Sequence, residues 1–313
     1  MDQTGESIML DKPYRDFNAY LRETFGCRVQ KISLDAGLSC PNRDGTIGRG
    51  GCIYCNPRGS GTGAAGAGQS LTDQVLSAQS FLRKRYKAAK FLGYFQSFTN
   101  TYAPLPALMA MYQEVLALPD MVGLTIGTRP DCVPDDILDR LAGLRAQGVI
   151  WLELGLQSAH DATLERINRG HKVDDFVSAV ERTRARGLPV CAHVILGLPG
   201  ESHAQMMDTA RFLARLGVEA VKLHLLYVVR GTRLQVMHQA GDYRCLTRQE
   251  YAGLVGDFLS LLPPGTIIQR LTGDPHPEEL VAPEWSLEKQ ANLQAIHESM
   301  AQRELWQGKH FRG

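Results

Sequence analysis

From Ser70 onward, apolar residues recur first at helical spacing and then in short runs, and the two patterns alternate. Leu71, Val75, Leu76, Ala78, Phe81 and Leu82 share one face of a helix expected over 71–89. A strand over 91–98 follows, then a helix over 104–118, a strand over 122–128, a helix over 134–146 and a strand over 149–158. A helix pair over 159–187, a strand over 190–198, a helix over 203–216 and a strand over 220–229 continue the series. Upstream, a short helix over 17–25 ends at Gly26, and 28–34 reads as the first strand through Val29, Ile32 and Leu34. Six strands with alternating helices predict parallel βαβ units in an α/β fold. Right-handed crossovers put the chemistry at the C-terminal strand ends, whether the sheet is a partial barrel or doubly wound.

After Gly231 the pattern changes. Helices over 233–240 and 247–262, a strand over 266–271 and a helix over 284–304 predict an appended α/β extension covering one open side of the barrel. The expected division is an N-terminal extension (1–26), a barrel (27–230) and a C-terminal segment packing on it (231–313).

Composition narrows this modestly. The chain has 313 residues, 44% hydrophobic and 21% charged, as in an ordinary globular protein. Lysine and arginine number 34 against 33 acidic residues, a net charge of +1, which gives no general attraction for polyanions. No apolar run approaches a membrane span, and Met1 to Leu10 lacks the basic start and apolar core of a signal peptide. Seven cysteines, an odd number, fit a reducing compartment, so the expected location is the cytoplasm, with no membrane partner.

Three of those cysteines lie within one stretch of sixteen residues, Cys40-Pro-Asn-Arg-Asp-Gly-Thr-Ile-Gly-Arg-Gly-Gly-Cys52-Ile-Tyr-Cys55. A Cys-x2-Cys pair sets two thiolates on one tight turn, and the glycines let the loop fold back towards Cys40. Three converging sulfurs suit zinc or an iron–sulfur cluster. Zinc in a structural site takes four closed ligands, and Cys27 is the available fourth. Three ligands on a cubane of four irons leave one iron open for a substrate.

This segment resembles the cluster loop of the radical S-adenosylmethionine (SAM) superfamily. Its Cys-x11-Cys-x2-Cys spacing departs from the commoner Cys-x3-Cys-x2-Cys. That long first gap is similar to the YhcC/YtqA-type proteins, which are relatives of the elongator catalytic subunit. The resemblance implies a six-stranded partial (βα)6 barrel, with Cys40, Cys52 and Cys55 holding a [4Fe–4S] cluster that binds SAM. It further implies that Tyr54 sits beside the SAM adenine, and that an electron donor such as flavodoxin or ferredoxin serves the cluster.

Alternation along 149–158 sends Leu152, Leu154 and Leu156 to the helices and Glu153, Gly155 and Gln157 into the barrel. A buried carboxylate and amide need hydrogen-bond partners, which a ligand can supply. By resemblance, Gln157 and Ser158 contact the SAM ribose. Ile167-Asn168-Arg169-Gly170-His171 resembles the turn whose arginine pairs with the SAM carboxylate, a task suited to a planar guanidinium. The strand Cys191 to Glu201 resembles the one whose backbone reads adenine, which assigns Ile195 and Gly197 to the cofactor. His193 on that strand lines the pocket or is a satisfied core histidine. The Gly-Gly-Glu common in the superfamily at the second strand's end is absent, and Thr99 and Asn100 stand there as neutral acceptors. Thr128-Arg129-Pro130-Asp131 resembles the elongator type, with Arg129 and Asp131 either functional or simply paired. Lys222 and His224 share a face of the sixth strand. The glycine-rich stretch Gly59 to Gly68 reads as a mobile loop or a lid.

Three functions are open on this basis. One is tRNA modification at the wobble uridine, by kinship with the elongator subunit. A second is radical chemistry on a small metabolite or peptide, and the third is a zinc-stabilised binding module. For an RNA substrate, Arg58, Arg129, Lys222, Arg230 and Arg233 are the cations expected around the strand ends.

Overall fold

The computed structural model describes residues 12–59 and 64–313. The first helix, α1 (Phe17–Phe25), starts where the Asp16 carboxylate accepts from the Ala19 amide, and it stops at Gly26, whose φ of 67° suits a residue without a Cβ. There follow β1 (Val29–Leu34), α2 (Pro41–Asp44), α3 (Leu71–Tyr86), β2 (Lys90–Phe95), α4 (Leu105–Leu116) and β3 (Met121–Thr128). Next come α5 (Asp135–Gly143), β4 (Val149–Gln157), α6 (Asp161–Arg166), α7 (Val173–Ala185), β5 (Val190–Leu196), α8 (His203–Leu216) and β6 (Ala220–Leu225). The chain ends with β7 (Val228–Val229), α9 (Arg233–Ala240), α10 (Arg248–Leu261), β8 (Ile267–Arg270), β9 (Leu280–Ala282) and α11 (Lys289–Gln302).

Among the described residues one parallel sheet runs β1-β2-β3-β4-β5-β6-β8 and curls into a half-barrel with helices outside. It has seven strands where six were expected. The strand read as part of the appended segment pairs in parallel with β6, Ala220 opposite Ile267. The expected sixth strand breaks after Leu225, and Val228–Val229 pairs antiparallel with β9 instead. Turn α2 inside the cysteine loop was not expected. The final helix is preceded by a separate 3₁₀ turn, Glu284–Leu287. Residues 1–11 of the expected tail and 60–63 of the proposed lid lie outside the described residues. Among the described residues no helix is long and apolar enough to cross a membrane.

Alternation along the strands sorts the barrel interior into layers. At the end where the strands begin, Val29, Leu92, Trp151, Cys191, Ala220 and Ile267 close on Phe17 and Leu21 of α1, an apolar plug. One pleat higher the strands contribute Lys31, Tyr94, Glu153, His193, Lys222 and Gln269, which form a polar belt. The opposite faces, including Leu152, Leu154 and Leu156, join the large core shared with the helices. The plug covers one end, and above it the polar belt lies beneath the space at the C-terminal strand ends.

Candidate active site

The cysteine loop folds back through its own amides. The Cys40 carbonyl accepts from the Arg43 amide at 2.9 Å, Pro41 from Ile47 at 2.8 Å and Asn42 from Gly51 at 2.9 Å. A turn then joins the Cys55 amide to the Cys52 carbonyl at 3.0 Å. The loop is stitched to the turn after α6: the Asn42 amide donates to the Asn168 carbonyl at 2.7 Å, and Asn168 donates to the Gly51 carbonyl at 2.7 Å. The Ile53 amide adds a third link, to the Ile167 carbonyl at 3.0 Å. Cys40, Cys52 and Cys55 all border one cavity of about 370 Å³ at the C-terminal strand ends. Arg43 Nη1 stands 3.4 Å from the Cys55 sulfur and Arg169 Nη1 3.8 Å from that of Cys52. Burial and the Cys52 thiol push Cys55 up to about 11, with Arg43 pulling the other way. Among the described residues no three His, Cys, Asp or Glu donors close on a single ion. Cys27 packs, partly buried, against the plug at the far end of the barrel, and Cys245 is a packing thiol in a second core cluster.

Arg169 is buried and points into the barrel. Its Nη2 donates to the Gly155 carbonyl at 2.9 Å and its Nε to His171 Nε2 at 2.9 Å. His171 therefore accepts at Nε2 and donates from Nδ1 to the Lys172 carbonyl, 3.1 Å away. Burial and the neighbouring Arg169 lower it to about 3, so the imidazole stays neutral. Gly155 earns its place here: a Cβ would lie 2.5 Å from Arg169 Nη2 and 2.7 Å from Gln157 Nε2. From behind, Arg129 Nη1 donates to the Arg169 carbonyl at 2.8 Å while its other nitrogens grip Asp131 at 2.9 and 2.7 Å. The Arg129–Asp131 pair thus braces the turn. Neither His171 nor Arg129 was read as a support for Arg169, because spacing does not show which turns meet.

Glu153 has all its demand met by protein. It accepts from Lys31 at 2.5 Å, Lys222 at 2.6 Å and His193 Nε2 at 2.8 Å, with none of its side chain exposed. Lys31 also reaches Gln269 at 2.6 Å, and the Lys222 ammonium lies 4.1 Å from the Tyr94 ring centre. The expected need for a ligand at Glu153 therefore does not arise. Burial and Lys222 lower His193 to about 4, so it is neutral and donates its Nε2 proton to the carboxylate.

Other expected site residues divide. The Asn100 amide nitrogen is taken up by the carbonyls of Phe95, Ser97 and Gly127. Ser158 turns to Glu201 and the His160 amide, and does not border the cavity. The backbone of Gly197 is occupied by Met206 Sδ at 3.4 Å and the Tyr243 hydroxyl at 3.1 Å. Ile195 borders a second cavity, of about 390 Å³, that shares Tyr54, Gln157, His193 and His224 with the first. Among the described residues, Tyr54 Oη, Thr99 Oγ1, Asn100 Oδ1, Gln157 Oε1 and His224 Nε2 are buried without a hydrogen-bond partner, and all border these cavities. Orphaned polar atoms are costly unless a ligand satisfies them. Together with three thiols and the Arg169 guanidinium, they fit a cluster and a ligand as polar as SAM.

Of the five cations expected around the mouth, Arg129 and Lys222 are buried beneath it in the pairs just described. Arg58 is exposed but pairs with Glu279 at 3.0 Å. Arg230 and Arg233 are exposed, and the amide of Leu234 beside Arg233 donates to the Ile53 carbonyl in the cysteine loop at 2.9 Å.

A half-barrel with a three-cysteine loop and a polar mouth at its strand ends is the architecture of a radical SAM enzyme, and the comparisons agree. The radical SAM superfamily model matches residues 44–213 and the radical SAM C-terminal domain matches 218–302. The chain belongs to the radical SAM superfamily, whose enzymes use a [4Fe–4S] cluster and SAM. The first of these matches starts after Cys40, so it bears on Cys52 and Cys55 alone. The YtqA protein of Bacillus subtilis is 42% identical over 301 residues, covering 96% of this chain and 94% of its own. The tRNA uridine(34) acetyltransferase of Dehalococcoides mccartyi is 33% identical over 156 residues, 49% of this chain and 33% of its own. Among solved structures, the archaeal Elp3 of Methanocaldococcus infernus, with an N-terminal deletion, superposes with a TM-score of 0.66. Its identity is 18%, over 89% of this chain and 64% of that one, which is a likeness of fold. The narrower resemblance to YhcC/YtqA-type proteins, and through them to the elongator catalytic subunit, holds.

The belt around Glu153 has a measurable consequence. Burial by itself would raise the Glu153 pKa, but Lys222, Lys31 and His193 outweigh it and hold the group well below its ordinary value of 4.5. Its stabilisation is complete above that ordinary value and is lost as pH falls towards the lower folded value. Glu153→Gln leaves the buried Lys222 and the half-buried Lys31 without their carboxylate and should destabilise the fold by about 3–5 kcal/mol. Denaturant unfolding at neutral pH checks the loss, and the acid-side slope of stability should be shallower in the variant.

Proposed function

We propose that this radical SAM enzyme acts on a nucleotide of a folded RNA, with tRNA as the substrate class. The observation that carries the reading is the 33% identity, over 49% of this chain, to a protein named as a tRNA uridine(34) acetyltransferase. Cys40, Cys52 and Cys55 hold the cluster in this reading, and Arg43 and Arg169 offset the charge of their thiolates. Arg169, oriented by the neutral His171 and by the Gly155 carbonyl, receives the SAM carboxylate. Thr99 Oγ1 and Asn100 Oδ1 accept from the SAM ammonium, in place of the absent acidic residue. Gln157 contacts the ribose, while Tyr54 and Ile195 flank the adenine. With both bound, one electron passing through the cluster to SAM, from a donor such as flavodoxin or ferredoxin, would release methionine and supply a 5′-deoxyadenosyl radical for hydrogen abstraction from the substrate. The apolar plug, and the three partners that occupy the Glu153 carboxylate, limit stray water at the floor beneath that reaction. A base reaches such a recess only when unstacked, as in a single-stranded loop. Arg230 and Arg233 are exposed cations available to phosphates at the mouth, while Arg58 is exposed but already paired with Glu279.

A second reading, a small metabolite as substrate, draws on one observation. Two of the five cations expected at the mouth are buried and a third is paired with Glu279, which leaves the rim weakly charged.

Anaerobically reconstituted protein should contain about four irons and four sulfides. Cys40→Ala, Cys52→Ala or Cys55→Ala should each abolish the visible absorbance, whereas Cys27→Ala should leave it intact. Loss of the cluster in the Cys27 variant, or its survival without Cys40, would contradict the ligand assignment.

Arg169→Ala removes a charge-assisted contact worth roughly 1.5–3 kcal/mol, and should weaken SAM binding about ten- to a hundredfold in equilibrium dialysis with cluster-loaded protein. An unchanged affinity would move the carboxylate elsewhere.

The substrate class is tested by mass spectrometry of nucleosides from total tRNA of cells lacking the protein. One modified nucleoside should fall, with its precursor accumulating. An unaltered nucleoside profile, together with no salt-dependent binding of tRNA, leaves the small-metabolite reading.

A further inference from the structure

At the end of the barrel opposite the mouth lies a third cavity, an open cleft of about 830 Å³ between the last turns of α8 and the segment after α11. Helix α8 leaves the C-terminal end of β5 and runs down to the start of β6, so its last turn sits where the strands begin. Arg211 and Arg215 lie in the last two turns of α8, and Lys309, His310 and Arg312 line the cleft with them, with no carboxylate in its lining. In a chain whose net charge is +1, four permanent cations on one concave surface are a local concentration.

The segment carrying half of these cations is held in place. The Gln307 side chain is buried and donates to the carbonyls of Pro263 and Thr266, each at 2.7 Å. The Gly308 amide donates to the Leu259 carbonyl at 3.2 Å and the His310 amide to that of Ser260 at 2.8 Å, both near the end of α10. Gly308 has a φ of +87° and lies so close to Pro264 that a Cβ would come within 2.6 Å. Just before it stands Trp306, 53% exposed, with the Lys309 ammonium 4.8 Å from its ring centre. About half of the indole surface is open to solvent, and it adjoins the cleft through Lys309 without lining it. Of the cations, Arg211 pairs with Asp208 at 2.8 Å in full solvent, and Lys309 donates to the Glu304 carbonyl at 2.6 Å. Arg215 and Arg312 are exposed.

We infer that this cleft is a docking surface for the sugar–phosphate backbone of a structured RNA, with Trp306 as a platform for an unstacked base. The reasoning is chemical complementarity: convergent guanidinium and ammonium groups neutralise phosphates, and an adjacent exposed aromatic distinguishes nucleic acid from other polyanions. The inference rests on the RNA reading proposed for the mouth and extends it. Strands β1 to β6, six to nine residues long at about 3.3 Å per residue, put mouth and cleft roughly 20–30 Å apart. No single nucleotide spans that distance, whereas a folded RNA with one nucleotide in the mouth can lay a second arm in the cleft.

The test is binding of unfractionated tRNA to the full chain by fluorescence anisotropy over a series of salt concentrations. Comparison is with Arg211→Ala/Arg215→Ala/Lys309→Ala/Arg312→Ala, and separately with Trp306→Ala. Loss of four phosphate contacts should weaken binding at least tenfold near physiological salt and flatten the log–log salt slope by about three. Trp306→Ala should weaken binding roughly five- to a hundredfold while leaving the slope unchanged. Matching thermal unfolding and iron content guard against a misfolded variant. If wild type binds tRNA and both variants bind it equally well, the cleft is not the docking surface and the RNA reading stands without it. If wild type shows no salt-dependent tRNA binding, the RNA reading itself fails and the inference goes with it. Vesicles containing phosphatidylserine form the other arm: if they alone lose binding in the quadruple variant, the cleft is a membrane-surface site and the inference is wrong.

Discussion

Glu153 is the residue around which the barrel interior is built. A carboxylate with no exposure cannot stay ionised without compensation, and here two lysines and a histidine supply it. Those partners come from β1, β5 and β6, and Lys31 carries the link to Gln269 on β8. One buried charge thus ties five of the seven strands at a single level. Such a network is weak evidence for net stability, since an apolar belt of equal volume can be as stable. Its contribution is order. Each cation has one place to go, so the curvature of the sheet and the height of the floor beneath the mouth are set together.

Above that floor, the cysteine loop and the turn carrying Arg169 behave as one piece. Three hydrogen bonds join them, and Arg129 holds the turn from the strand side through the Arg169 carbonyl. The spacing of eleven residues between Cys40 and Cys52 is filled by the short turn α2 and by amides folding back onto Pro41 and Asn42. The guanidinium of Arg169 can then stand beside the Cys52 sulfur without wandering, because His171 and the Gly155 carbonyl fix its plane. Orphaned acceptors on Thr99, Asn100 and Gln157 face the same space. A site that holds its donors rigid while leaving acceptors unsatisfied is arranged for a ligand.

Charge is arranged unevenly, in a way the near-zero total conceals. Two of the cations expected at the mouth from their place near strand ends, Lys222 and Arg129, are held in the interior by Glu153 and Asp131, and the rim is correspondingly mild. The opposite end carries a concave basic surface beside an exposed tryptophan. Net charge averages over these two faces and says nothing about either.

Much of this was legible in residue order. Helix boundaries at 17–25, 203–216 and 233–240 follow from caps and glycines that act within a few residues. The inward set on β4 follows from a period of two. The cysteine spacing, through its resemblance to known cluster loops, pointed to the superfamily and its cofactors. What pairs with what was not legible, because it depends on which strands become neighbours. The seventh strand looked like part of an appendage, since its register against β6 is a long-range fact. Glu153 looked like a ligand contact, and only the curl of the sheet brought Lys31 from β1 and Lys222 from β6 to its two oxygens. Local physics determined the elements and the inward-facing residues; the closing of the sheet decided which charges were satisfied by protein and which polar atoms were left for a ligand.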